Sequence, residues 1–136
     1  MRKLVTIAAA AAVSALAGCS ATPSPANMQA DAHLQRLLAD KTAGPPVSCI
    51  PRLQTGNARP VMGSGALAFV ANPGLVYVSN VEGSGCADIA NPNYALVTTS
   101  HGSDLCSGDR VEVRDLETRG FHGSCLLSEF VPYRSR

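Results

Sequence analysis

The sequence predicts a mainly β domain, a small antiparallel barrel or sandwich of five to six strands. One N-terminal helix precedes it and two disulfides staple it. Three observations carry this expectation. From residue 47 onward, short β-branched segments alternate with Gly, Pro and Asn, the texture of strands and turns. Ahead of them, one segment repeats its apolar residues at helical spacing. Beyond position 19 the chain keeps four cysteines, an even number that reads as a disulfide framework in an exported protein.

The N-terminus is an address rather than part of the fold. Met1-Arg2-Lys3 is a basic start, and an uncharged Ala-rich run follows from Leu4 to Leu16. The run is too short to cross a bilayer stably and has the parts of a secretory signal. It ends in Leu16-Ala17-Gly18-Cys19, which resembles the lipobox of bacterial lipoproteins. That resemblance implies a diacylglycerol on the Cys19 thiol, cleavage just before it and acylation of the new amine. Three acyl chains exceed the two hydrophobic signals that stable anchoring needs. It also implies an exported, lipid-anchored protein. Ser20, where an Asp favours the inner membrane of enteric bacteria, leans the expectation to the outer membrane, facing the periplasm. Ala15-Leu16-Ala17 leaves an alternative open, an ordinary A-x-A cleavage site and a soluble product.

Residues 1–18 are thus expected as signal, 19–27 as a Pro- and Ser-containing tether, 28–44 as helix and 45–136 as the β domain. In the helix, Ala30, Leu34, Leu37, Leu38 and Lys41 share a face. Asn27 is the expected N-cap, and Gly44-Pro45-Pro46 is the stop. The Leu stripe is expected to pack on the domain. Strands are expected over 47–53, 66–71, 75–79, 94–99, 110–114 and 121–127. Asn72-Pro73-Gly74 marks one hairpin turn. The loop 115–120 returns a second hairpin, whose first strand alternates Val111 and Val113 with Arg110, Glu112 and Arg114. Gly63-Ser64-Gly65 and Gly83-Ser84-Gly85 read as loops.

Cys49, Cys86, Cys106 and Cys125 admit three pairings. Cys86–Cys106 with Cys49–Cys125 is preferred, since the second bridge joins the first and last strands and closes a barrel. Cys49–Cys86 with Cys106–Cys125 is the runner-up. The chain has no C-x-x-C, so zinc-ribbon and thioredoxin spacings are missing and no metal is expected.

Cys49-Ile50, Tyr77, Leu105-Cys106-x-Gly108-Asp109 before Val111, and Ser124-Cys125 occur together over about residues 42–133. In this they resemble a family of small secreted or lipid-anchored bacterial proteins of unknown function. The resemblance implies no activity. Within the motif, Gly108-Asp109 suits a tight turn pinned by the Cys.

Composition narrows the chemistry. The net charge is +1 and becomes about −1, still nearly neutral, once Arg2 and Lys3 leave with the signal. Basic clusters and stacking aromatics are both missing, so no nucleic acid is expected. The glycine loops around Ser64 and Ser84 lack G-x-S-x-G spacing and the Lys of a phosphate cradle. Of three histidines, His33 falls on the helix, His101 in Ser100-His101-Gly102-Ser103-Asp104 and His122 on the last hairpin. The expectation is a non-enzymatic binding or structural module without cofactor, tethered to the membrane through Cys19 and contacting an envelope protein partner. The alternative is a small periplasmic hydrolase using His101, Asp104 and His122 as an acid–base or metal set.

Overall fold

A computed structural model describes residues 24–52, 61–63 and 65–136. The expected signal, Cys19 and most of the tether lie outside these residues, as do residue 53 of the first expected strand and Ser64.

Helix α1 spans Pro25–Leu38 and so begins earlier than the expected 28. Its N-cap is Ser24, not Asn27. The Ser24 side chain accepts the Asn27 amide, and Pro25 occupies the first turn, where its missing N–H costs nothing. The helix also ends well before Gly44. Lys41, expected on its stripe, instead opens strand β1 (Lys41–Ala43), which pairs with the C-terminal end of the chain. No residue of α1 is buried. Asp31 and Leu34 lie against Gly63, next to strand β3 (Val61–Met62), so the stripe rests on the domain without entering its core.

The mainly β reading holds. The remaining strands are β2 (Cys49–Pro51), β4 (Ala66–Asn72), β5 (Leu75–Glu82), β6 (Tyr94–Thr99), β7 (Asp104–Cys106), β8 (Arg110–Asp115) and β9 (Phe121–Ser135). They form a curled antiparallel sheet in the order β3-β4-β5-β9-β8-β6, a half-barrel, with β2 and β7 as a separate pair. Both expected hairpins form. In the β4–β5 turn, Asn72 Oδ1 accepts the Gly74 amide at 2.9 Å. In the β8–β9 loop the Asp115 amide donates to the Gly120 carbonyl at 3.0 Å.

The spine is β9, which is 15 residues long and runs well past the expected end at 127. One edge pairs with β5. The other pairs first with β8, then with Val47 and β1. Its inward residues change phase between Leu127 and Phe130, because Ser128 and Glu129 together oppose Asn80. Such a bulge disguises one long strand as a short one followed by irregular chain. Buried Ser79 plugs it, donating from Oγ to the carbonyls of Ser128 at 2.9 Å and Asn80 at 3.1 Å. The core around the spine includes Ile50, Leu67, Phe69, Val111, Val113, Leu127 and Phe130.

The two disulfides are Cys49–Cys106 and Cys86–Cys125, which corrects both expected pairings. Cys49 lies opposite Cys106 because β2 pairs with β7 rather than with the last strand. A 3₁₀ turn, Ser84–Cys86, follows β5 and folds back over β9, carrying Cys86 to Cys125. The bridges interlace along the chain and close loops of 57 and 39 residues. In the chain-entropy model each contributes about 4 kcal/mol.

Candidate functional site

The residues expected to carry chemistry fall at two ends of β8. His101 follows β6, whose last residue Thr99 pairs with Arg110 at the start of β8. His122 lies beside Arg114 and Phe121, at the far end of the same strand. Four residue steps, from Arg110 to Arg114, separate these ends, roughly 13 Å at the usual rise. The set His101, Asp104 and His122 therefore does not assemble.

His101 and Asp104 do share an open cleft of about 340 Å³, lined also by Gly102, Ser103, Cys106 and Asp109. Its floor is the turn after β7. Gly108 adopts a positive φ of 87°, a backbone that favours glycine. The Asp109 amide donates to the Cys106 carbonyl at 3.1 Å, while Asp109 Oδ2 accepts the Cys106 amide at 2.8 Å. The Leu105-Cys106-x-Gly108-Asp109 motif is thus a closed turn that brings the disulfide-bonded Cys106 into the cleft lining. Among the described residues no group of three His, Cys, Asp or Glu is placed to hold a metal ion.

His122 has a different environment. Between Val113–Gly123 and Arg114–Phe121 the register shifts by one residue, which leaves His122 bulged out of the ladder. The bulge aims its ring at Tyr94, where the two stack with centroids 4.2 Å apart and planes at 25°. Asp88 Oδ2 lies 3.8 Å from its Nε2. These contacts orient a half-exposed ring. His33 is exposed on α1.

A feature missed in the sequence is the outer edge of β6. The Leu116 amide donates to the Asn93 carbonyl at 2.9 Å, which sets the phase of the β6–β8 ladder. Ala95, Val97 and Thr99 then face β8, while the amides and carbonyls of Leu96 and Thr98 point outward. Among the described residues β6 ends the sheet. Within Tyr94–Thr99 there is no charge, Pro or Gly to guard that edge. On the adjacent outer face Val97 and Phe121 are exposed, at 45% and 61%. An uncharged strand between two turn-rich loops was the available signal.

Among the described residues no helix is long and apolar enough to cross a membrane. No protein-family model, curated protein or solved structure matches the chain significantly.

Proposed function

We propose that this chain is a lipid-anchored protein of the cell envelope whose β domain is a non-enzymatic binding module. Its partner is an envelope protein that adds an extended segment to β6. The open edge of β6 carries the reading, because outward-facing amides and carbonyls of Leu96 and Thr98 are the groups that a further strand satisfies. Val97, 45% exposed on the edge strand itself, supplies apolar surface there, and Phe121 lies two strands in on β9. Two disulfides suit an oxidising compartment outside the cytoplasm, and Leu16-Ala17-Gly18-Cys19 supplies the anchor, through Cys19 to a membrane.

Two measurements test the reading. Intact mass of the protein from its native membranes should equal residues 19–136 plus a diacylglyceryl and an acyl group. An unlipidated mass beginning before Cys19 overturns the anchor. A photo-crosslinking residue at Val97 should give one discrete adduct in intact cells, lost when Thr98→Pro removes an outward amide from the edge. An adduct indifferent to Thr98→Pro, in a variant that keeps its fold by circular dichroism, overturns the edge as the binding surface.

A further inference from the structure

The two disulfides differ in access. Cys86 and Cys125 are 2% and 4% exposed and belong to the hydrophobic core. Cys49 is exposed, Cys106 is half-buried, and Cys106 lines the open cleft with His101, Ser103, Asp104 and Asp109. A thiolate must approach a sulfur to exchange with it, so access separates a structural bridge from a reactive one. The elements joined by the exposed bridge have other anchors. Ile50 and Leu105, adjacent to the two cysteines, are buried in the core, and the Ser107 amide donates to the Ser48 carbonyl at 2.7 Å. None of these contacts runs through the sulfur atoms.

We propose that Cys49–Cys106 is a thiol-exchange site, attacked at Cys106 Sγ by a small thiol that enters the cleft, while Cys86–Cys125 is a permanent staple. The incoming thiolate forms a new S–S bond to Cys106. The Cys49–Cys106 bond breaks, its electron pair leaves on Cys49 Sγ, and that sulfur takes a proton from solvent. A second thiolate can then displace Cys106, leaving both cysteines reduced and the two external thiols joined as a disulfide. The cleft also selects. Asp104 and Asp109 line the same cleft as Cys106, so a cationic or neutral thiol is favoured over an anionic one. The mixed disulfide on Cys106 is the modification this site would carry.

The experiment uses the folded wild-type protein without denaturant. It is treated with cysteamine, 2-mercaptoethanol or glutathione at equal thiolate concentration, quenched with iodoacetamide and mapped by peptide mass spectrometry. The thiol adduct should appear on Cys106 and the alkyl group on Cys49, about ten times faster than any labelling of Cys86 or Cys125. Circular dichroism should stay native throughout. Cysteamine should react roughly five times faster than glutathione, and the ratio should shrink in 1 M salt, where the screening length is about 3 Å. Asp104→Asn should narrow the ratio too. Equal labelling of all four cysteines, or none before unfolding, overturns the exchange site. Native labelling with no preference among the three thiols overturns the selectivity assigned to the cleft.

Discussion

Gly85 and Gly123 meet backbone to backbone beside the Cys86–Cys125 bridge. A Cβ on Gly123 would overlap the Gly85 carbonyl, and a Cβ on Gly85 would overlap the backbone of Ser124. The disulfide can hold the 3₁₀ turn against β9 because neither chain carries a side chain at the crossing. The relationship explains why a glycine interrupts the inward-facing run Gly123, Cys125, Leu127. Gly123→Ala must displace backbone rather than a flexible side chain, so it should destabilise by about 1–3 kcal/mol. Urea unfolding of the oxidised protein checks this, and Gly102→Ala, where a Cβ meets nothing within 4 Å, is the control.

Ser79 gives a second test. Its hydroxyl closes the β9 bulge by donating to the Ser128 and Asn80 carbonyls. Ser79→Ala should cost about 1–2 kcal/mol, since the carbonyls of Ser128 and Asn80 lose a donor that the buried hydroxyl shares between them. Hydrogen exchange should quicken at residues 127–131 more than at the β4–β5 hairpin. Uniform quickening would mean that the hydroxyl does not hold the bulge.

Phe130 is fully buried, and its ring meets that of Phe69 edge-on with centroids 5.9 Å apart. It also bonds through its backbone to Val47 in both directions. Phe130→Ala should lose about 3–5 kcal/mol by leaving a cavity at the centre of the half-barrel. Phe130→Leu should lose less than half as much. Thermal melts of the two variants measure the difference.

Asp115 carries a pH signature. The Thr118 amide, the Thr118 hydroxyl and the Glu117 amide all donate to its Oδ1, at 2.7, 3.1 and 2.9 Å. These bonds, the Thr118 amide foremost, lower its pKa below the ordinary aspartate value. A lowered acid stabilises the fold fully above the unfolded-state pKa. That contribution is lost as pH falls through the folded-state value. Asp115→Asn keeps an acceptor without the charge and should flatten this acid-side dependence in the β8–β9 loop. Amide exchange of Thr118 as a function of pH reports it.

Elements set by neighbouring residues were legible in the sequence. Asn72-Pro73-Gly74 turns the chain by its own chemistry, and Val111 and Val113 alternate with charged residues because one face of β8 is buried. The strand at residues 94–99 was read with its observed ends, since turns flank it. Partners far along the chain were not legible. Beta1 and β7 are three residues each, and they form because β9 and β2 lie opposite them. The disulfide pairing escaped for a related reason. Loop-closure entropy grows only as the logarithm of loop length, so the alternative pairings differ little before tertiary structure is present. The separation of His101 from His122 was likewise decided by strand register, which puts one at each end of β8. By itself, the sequence determined the β class, the cysteine framework and the turns, because those depend on local chemistry and composition. Tertiary structure alone decided which cysteines meet, where β9 bulges and which strand ends the sheet among the described residues, because these follow from pairing between distant segments.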